Sequence, residues 1–425
     1  MPHRIRAVVP LLLVALTATA CSFTAAPGSD GAEGAEVDPS EWNDVVAAAD
    51  GATLDLHMWG GSTEINRFVD EVYGPRLAEL GITLSRVPLA DTADAVNAVL
   101  GELEAGRSSG GSVDLIWING DNFATMRQAE ALLIGWAEEL PNAELVDWDD
   151  PAVAFDAGLA VEGAESPWGS AQFQFVHDTA RTGETHLPRS YAELADWIVA
   201  NPGRFTYPAP PAFHGTRFLK QWFYELSGGP DAWVGSFDED AYAEAAAPLW
   251  ALLDDLRPHL WRGGETYPGD IADLDQLFAN GEVDLTFTLL PAGIGANIDA
   301  GTLPATARPF VFDTGTIADH HYLAIPVNAG DPAAAMVFAD LVLDPDLQAA
   351  KLDPAGGWGD GLAIASDRVD AAQAAAVGDI VDDLGETAVD QERLAAVRLP
   401  DSLGALTRAL DQDWDRFIRQ RQPRS

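Results

Sequence analysis

The segment LDLHMWGGSTEINRFVDEV, residues 54–72, has the pattern of a strand that leads directly into a helix. Leu54 to Trp59 is strand-like, and the two glycines after it mark a turn. Apolar residues then recur at helical spacing, at Ile65, Phe68, Val69 and Val72. Strands that alternate with helices in this way build sheets that are mostly parallel.

The alternation continues along the chain. Val113 to Ile118 is an apolar strand that Asn119-Gly120 ends, and Asn122 is placed to cap the next helix. Other helix starts are marked at Asp91, Ser190, Asp270 and Asp331. Further candidate strands lie at 171–176, 204–207, 284–289 and 322–325, and an amphipathic helix at 402–418. The fold class predicted is therefore α/β.

Residues 1–20 have the pattern of a lipoprotein signal peptide. Arg4 and Arg6 precede an apolar run, which ends in Ala18-Thr19-Ala20-Cys21. The run is too short to span a bilayer, which needs roughly 20 apolar residues. Cys21 is the single cysteine, which excludes an internal disulfide, so we expect it to carry lipid; an ordinary secretory signal is the alternative. The expected location is extracytoplasmic, with a lipid anchor on the outer face of the cytoplasmic membrane.

Residues 21–44 are mostly small, polar and acidic, which predicts a flexible tether. The remaining chain is roughly 380 residues long, more than one hydrophobic core usually supports, so two lobes are expected. The net charge of −43 makes nucleic acid an unsuitable partner. The acidic surplus either attracts a cationic solute or serves only as a solubilising surface, and the second interpretation is favoured.

Several stretches together resemble the bacterial extracellular solute-binding proteins of family 1, and among them the thiamine-type ABC transporter binding lipoproteins. These stretches are WGGSTEIN at 59–66, LADTA at 89–93, GGSVDLIWINGDNF at 110–123, PGRFTYPAPPAF at 202–213, YLAIPVNAGDPAAAM at 322–336 and GGWGDG at 356–361. The resemblance covers nearly the whole chain from Leu54 to the last helix.

The resemblance implies a two-lobe periplasmic-binding-protein-like fold of type II that closes over its ligand like a hinge. It places residues 45–165 and 293–344 in lobe 1, and residues 166–292 and 345–425 in lobe 2. It also implies a monomer that binds one small molecule without a cofactor and passes it to the permease and ATPase subunits of an ABC importer. Thiamine or another cationic heteroaromatic solute is the first candidate, with a sugar or other polar metabolite close behind.

Candidate ligand-binding residues are suggested by the rule that ligands lie at the carboxyl ends of the strands of open parallel sheets. Two loops leave predicted strands at that edge: Trp59, Gly60, Gly61, Ser62 and Glu64 in the first, and Asn119, Gly120, Asp121 and Asn122 in the second. Their glycines permit close approach of a ligand, and their side chains offer donors and acceptors. The alternative is that both are ordinary turns, with Ser62 and Asn122 as helix caps.

Further candidates are aromatic or lie near the expected hinge. Tyr207 and Phe213 flank a proline-rich loop, and flat aromatic faces hold heteroaromatic rings and quaternary cations well. Trp168 and Gln172 should approach the hinge, while Trp358 and Asp360 offer an indole and a carboxylate. With 13 Trp in the chain, core packing is the alternative for any single aromatic residue.

Two other classes of function compete with solute binding. An exported hydrolase is the main alternative, but the sequence lacks the Gly-x-Ser-x-Gly and His-Glu-x-x-His motifs. His320 and His321 are adjacent on a predicted strand and point to opposite faces, so they do not form one metal site. A structural envelope lipoprotein would need no polar loops gathered at strand ends. We therefore expect a binding protein and not an enzyme, with Ser62, Asn119 and Tyr207 lining one cleft.

Overall fold

The computed structural model describes residues 37–183 and 186–424, which form a mixed α/β fold. The strands are β1 Thr53–Trp59, β2 Thr83–Leu89, β3 Leu115–Ile118, β4 Phe155–Asp156, β5 Leu159–Ala160, β6 Glu165–Gln172, β7 Gln174–Asp178, β8 Leu285–Thr288, β9 Ala307–Phe310, β10 Thr316–Ala324 and β11 Arg398–Leu399.

The α-helices are α1 Trp42–Ala49, α2 Thr63–Phe68, α3 Gly74–Glu79, α4 Ala93–Glu104, α5 Asp121–Gln128, α6 Pro151–Ala154, α7 Tyr191–Ala200, α8 Phe213–Ser227, α9 Glu239–Leu256, α10 Ile271–Ala279, α11 Gly293–Asp299, α12 Pro332–Leu341, α13 Pro345–Leu352, α14 Ala371–Leu384, α15 Gln391–Ala396 and α16 Gly404–Trp414. One π-helical turn, Val69–Tyr73, joins α2 to α3, and another, Asp415–Arg419, follows α16.

Lobe 1 is built on a six-stranded sheet with the order β2-β1-β3-β10, in which both β6 and β11 also pair with β10. The first three strands are parallel, and β10 is antiparallel to both β3 and β6. Leu54, Leu56 and Met58 alternate along β1 and are fully buried, because every second side chain of a strand faces the same layer. Helices α1 and α12 pack together on the same core. Strand β1 and helix α2 confirm the predicted first strand and the helix that follows it.

Lobe 2 surrounds a smaller antiparallel sheet with the order β8-β7-β9. An aromatic core from this sheet, α7 to α10 and α16 fills the lobe. Ser190 and Asp270 cap α7 and α10 through backbone N–H groups, as predicted. The predicted strand at 204–207 is wrong, because the backbone of Arg204 and Phe205 pairs with single groups of neighbouring loops. Tertiary packing holds this extended segment without a sheet partner.

The chain crosses between the lobes at Phe173, again at 311–315 and a third time between 365 and 403, and this path corrects the predicted boundaries. Strand β6 pairs with β10, so residues 166–172 belong to lobe 1. The segment 293–310 packs into the core of lobe 2, whereas 345–364 packs into lobe 1. The predictions placed all three segments in the opposite lobe. The lobe to which a segment belongs depends on contacts with residues distant in sequence, and local sequence patterns do not reveal these contacts.

Helix α1 begins at Trp42, inside the predicted tether. Val37 and Trp42 pack against the core of lobe 1, so the tether prediction is wrong for its last residues. The predicted signal peptide, Cys21 and the rest of the tether lie outside the described residues. Among the residues that are described, no helix is long and apolar enough to cross a membrane.

Candidate ligand-binding cavity between the lobes

A cavity of about 270 Å³ lies where the two lobes meet. Lobe 1 contributes the start of α5, the β4–β5 turn and β10, and lobe 2 contributes α8 and the segment through α16. The lining residues are Asn119, Gly120, Asp121, Asn122, Asp156, Ala157, Pro211, Phe213, Thr216, Arg217, Lys220, Asp319, Asp401, Gly404, Thr407 and Asp411. Ligand pockets for small molecules usually begin at about 300 Å³, so this cavity suits a small solute.

The loop after β3 enters the cavity because Gly120 turns the chain sharply. Gly120 has a φ of +62°, which a residue with a side chain rarely adopts. Its backbone N–H donates to Oδ2 of Asp156 at 2.7 Å. This bond fixes the loop to the β4–β5 turn of the same lobe. The predicted cap at Asn122 is wrong, because α5 already begins at Asp121.

Four charged side chains in the cavity compensate one another. Arg217 contacts Asp319 at 2.5 Å and Asp401 at 3.2 Å, and Lys220 contacts Asp401 at 2.6 Å. Burial alone would raise the pKa of Asp401, but Lys220 and Arg217 outweigh it and hold that pKa below its usual value. Two cations therefore face two carboxylates, and this network is neutral as a whole.

Two further carboxyl groups in the cavity, Asp156 and Asp411, form no ion pair within the described residues. Burial raises the pKa of Asp156 to about 8. Burial also raises the pKa of Asp411, whose Oδ1 accepts a hydrogen bond from the Thr216 hydroxyl at 2.5 Å. Asp156 belongs to lobe 1 and Asp411 to lobe 2. The cavity therefore has an acidic group on each side that lacks a counter-ion.

An aromatic ring completes the lining at the start of α8. Phe213 is 55% exposed, which is unusual for a phenylalanine in this chain. The Arg217 guanidinium lies 4.8 Å from the centroid of this ring, so the ring already faces a cation. Its exposed part remains free for a second flat or cationic group.

Contacts also join the lobes directly beside the cavity. Arg408 of α16 forms an ion pair with Asp121 of α5. A Cβ atom built on Gly404 would lie 1.4 Å from Oδ1 of Asp121, so a larger residue here would force the Asp121 carboxylate to move. The two lobes thus meet closely at the start of both helices.

The structure brings part of the predicted site together. Asn119, Gly120, Asp121 and Asn122 line the cavity with Phe213, although they come from different lobes. These residues keep their place in the candidate site.

The first predicted loop lies outside this cavity. Ser62 caps α2, accepting a hydrogen bond from the backbone N–H of Ile65 at 3.3 Å, and it donates to Glu64 at 3.0 Å. Gly61 lies against the indole of Trp59, and Gly60 lies against Pro88 of the neighbouring strand. The loop is a turn with a helix cap, which corrects the site prediction for Trp59, Gly60, Gly61, Ser62 and Glu64.

Tyr207 is buried in the core of lobe 2, where its hydroxyl oxygen accepts a hydrogen bond from Nε1 of Trp414 at 3.0 Å. The expected cleft lined jointly by Ser62, Asn119 and Tyr207 is therefore wrong. The aromatic surface of the proline-rich segment points inward at Tyr207 and outward at Phe213.

Trp168 and Gln172 also form contacts inside the protein and not with the cavity. Trp168 is fully buried, and its ring meets that of Trp117 edge-on at 4.8 Å. Gln172 donates to the Thr316 hydroxyl at 2.8 Å and to the carbonyl of Leu394 at 3.0 Å. Gln172 adjoins the crossing at Phe173, whereas Trp168 packs in the core of lobe 1, and neither residue lines the cavity.

Trp358 and Asp360 lie inside lobe 1. Asp360 is fully buried between Nζ of Lys351 at 2.9 Å and Nε2 of His321 at 2.8 Å. Trp358 is buried beside this ion pair, with Nζ of Lys351 at 5.9 Å from its ring centroid. His320 instead contacts the carbonyl of Ala152 on the other face of β10. The predicted carboxylate is thus part of an internal ion-pair network.

Sequence reasoning missed most of the charged residues of the cavity. A usable signal existed on α8, where Lys220 is one of the two lysines of the chain and follows Arg217 at helical spacing. No local signal distinguishes Asp156 or Asp411 from the other members of a set of 67 acidic residues. Their role becomes visible only when the two lobes are assembled.

Residues 77–383 match a family model described as bacterial extracellular solute-binding protein. This match covers more than half of the sequence. The chain therefore belongs to the bacterial extracellular solute-binding proteins.

Individual relatives agree with this assignment. Protein YnjB of Escherichia coli (strain K12) is 43% identical over 321 residues, which are 76% of this chain and 82% of that protein. An ABC transporter structure from Clostridium perfringens is similar with a TM-score of 0.60 at 13% identity, covering 86% of this chain and 99% of that one. The spermidine/putrescine substrate-binding protein PotD from Streptococcus pneumoniae has a TM-score of 0.58 at 12% identity, with the same coverage. The two structures share the two-lobe fold with this chain.

Proposed function

We propose that the protein captures a small organic cation in the cavity between its lobes and delivers it to the membrane subunits of an ABC importer. Thiamine is the first candidate solute. The observation that carries the proposal is the pair Asp156 and Asp411, which line the cavity from opposite lobes and form no ion pair with any described residue. A cation that binds between them supplies the missing charge to both lobes at once.

The remaining lining fits the same class of ligand. Arg217 and Lys220 are compensated by Asp319 and Asp401, so they do not make the cavity attractive to anions. The exposed part of the Phe213 ring offers a face to a heteroaromatic or quaternary group, a contact worth about 1–2 kcal/mol where water is excluded. A neutral sugar brings no charge that could pair with either carboxyl group.

The mechanism needs no chemical step. The protein samples an open form, the solute contacts one lobe first, and the closed form is selected because only there do both carboxyl groups reach the cation. The solved relatives described as ABC transporter proteins support an importer as the partner. The proposal includes a lipid anchor at Cys21, which would keep the protein beside the importer.

Thermal unfolding and calorimetry of the purified protein test this proposal. The panel contains thiamine, its phosphates, choline, spermidine, amino acids and neutral sugars. An organic cation should raise the Tm by several degrees and bind one-to-one, because a ligand that binds only the folded state stabilises it. A sugar that binds while every cation fails would contradict the proposal.

A matched pair of variants on α16 locates the site. Asp411→Asn should weaken cation binding at least tenfold, because it removes one partner of a desolvated charge pair. Asp413→Asn is the control, since Asp413 lies two residues further on the same helix and bonds to Tyr242 outside the cavity. Equal effects of both substitutions would remove Asp411 from the site.

A further inference from the structure

Asp156 occupies an unusual position for a carboxyl group that faces a cavity. Asp156 is 3% exposed. Among the described residues, its carboxyl group accepts one hydrogen bond, which the backbone N–H of Gly120 donates to Oδ2. No cation lies within ion-pair distance of it among the residues that the structure describes. A buried carboxyl group without a counter-ion is far more stable in its protonated form.

The neighbours of Asp156 reinforce this state. Acidic groups approach it from three elements: Asp319 from β10, Asp401 from the segment before α16, and Glu165 from β6. Arg217 of α8 is the cation near it, and this guanidinium is already bound to Asp319 and Asp401. Tyr322 of β10 also lies within electrostatic reach. The surroundings therefore do not replace the missing counter-ion.

Near Asp156 lies a second buried carboxyl group, which has fewer hydrogen bonds than Asp156. Glu165 is fully buried, and neither of its carboxyl oxygens has a hydrogen-bond partner among the described residues. Burial raises its pKa well above the usual value, and Asp156 raises it further. Glu165 therefore remains protonated and neutral while the carboxyl group that lines the cavity changes its state.

We propose that solute capture is an exchange of charges, in which the bound organic cation replaces a proton on Asp156 and that proton leaves through the cleft to solvent. The proposal rests on the proposed function and adds its coupling to pH. In the empty protein Asp156 is a neutral acid. In the complex it is a carboxylate paired with the cation, so the net charge of the cavity is unchanged by binding.

The exchange makes affinity depend on pH in a defined direction. With a pKa of about 8 for Asp156, the competent carboxylate is rare at pH 6 and predominates above pH 8. The apparent Kd varies inversely with this fraction, so binding should tighten roughly fifty-fold between pH 6 and pH 8 and then level off. The same coupling predicts release of about one proton per bound cation at pH 6.5 and about none at pH 9.5.

Calorimetry in buffers of different ionisation enthalpy measures this proton directly. Choline is the suitable probe across this range, because its quaternary charge does not change between pH 6 and pH 9.5. Thiamine serves only up to pH 8, because its thiazolium ring opens in alkali and loses the charge. The wild-type protein should show both the proton release and the tightening of binding with pH. Asp156→Asn should bind with a nearly constant Kd, release no proton, and lose affinity chiefly at high pH.

Glu165→Gln is the matched control, because it alters an adjacent buried carboxyl group that does not line the cavity. It should keep both the proton release and the pH profile. Cation binding without proton release in the wild-type protein, or release that persists in Asp156→Asn, would overturn the exchange and leave the proposed function intact. Failure of thiamine, choline and spermidine alike to bind at pH 8 would instead overturn the proposed function, and the exchange with it.

Discussion

The residues of the cavity divide into a compensated network and a small set that awaits a partner. Arg217 and Lys220 satisfy Asp319 and Asp401, and this neutral network holds α8 against β10 and the segment before α16. Asp156, Asp411 and the exposed face of Phe213 remain without an equivalent partner. Selectivity for a cation follows from this difference and not from the number of acidic residues.

The contribution of Phe213 can be separated from folding. Phe213→Ala should weaken binding of thiamine about 5- to 30-fold, which corresponds to about 1–2 kcal/mol of lost contact with the ring. The Tm should change little, because the ring is 55% exposed and supports no core. Trp59→Ala is the control, since Trp59 is 42% exposed but lies outside the cavity. Calorimetry that finds the two variants equally weakened would contradict this role.

Buried charges outside the cavity show why single aromatic or acidic residues were poor guides to the site. Asp360 and Trp358 stand in a glycine-rich loop that resembles a binding loop in sequence, yet both pack inside lobe 1 against Lys351. Tyr207 is an aromatic residue of the kind expected in a cleft. Its hydroxyl oxygen instead accepts a hydrogen bond from Trp414, which lies 207 positions further along the chain. Which way such a side chain points depends on partners that are distant in sequence.

At the scale of elements, closure depends on how α5 and α16 meet. Both helices begin at the cavity, and Asp121 of α5 lies against Gly404 and Arg408 of α16. The β4–β5 turn adds a second close approach, because a Cβ on Gly158 would lie 2.7 Å from the backbone nitrogen of Leu403. Small residues at these points let the backbones of the two lobes come together.

Gly404→Ala should therefore hinder closure without unfolding either lobe. The added methyl group would displace the half-exposed carboxylate of Asp121 and disturb its ion pair with Arg408, so the variant should bind thiamine a few-fold more weakly and keep a slightly larger radius of gyration in saturating ligand. Small-angle X-ray scattering measures this difference.

Gly378→Ala on α14 is the control for this variant. It meets no atom within 4 Å and should behave as wild type, with a Tm that is equal or slightly higher. A fully compact complex of Gly404→Ala would contradict the role of this contact.

Elements with strong local signals could be predicted from the sequence. The β1–α2 unit and the caps at Ser190 and Asp270 follow from periodicity and from residues that accept backbone N–H groups. The loop at 119–122 could be assigned to the site because it leaves a buried strand at its carboxyl end. The strand predicted at 204–207 does not form, because this extended backbone has no neighbouring strand with which to pair.

At the scale of the whole molecule, the two lobes exchange segments in a way that local patterns do not reveal. The chain crosses at Phe173, at 311–315 and once more between 365 and 403, so that α12 and α13 belong to lobe 1 while α16 joins lobe 2. This path brings Asp156 and Asp411 to one cavity although 255 positions separate them in sequence. The overall charge of −43 shows a surplus of acid but not its arrangement around a site.

The central claim is that a cationic solute bridges Asp156 of lobe 1 and Asp411 of lobe 2. A crystal structure of the protein grown with thiamine tests it most directly. We expect closed lobes around one thiamine molecule, with its cationic ring within reach of both carboxyl groups and against the face of Phe213. Thiamine bound elsewhere on the protein, or a cationic ring in the cavity that contacts neither Asp156 nor Asp411, would contradict the claim.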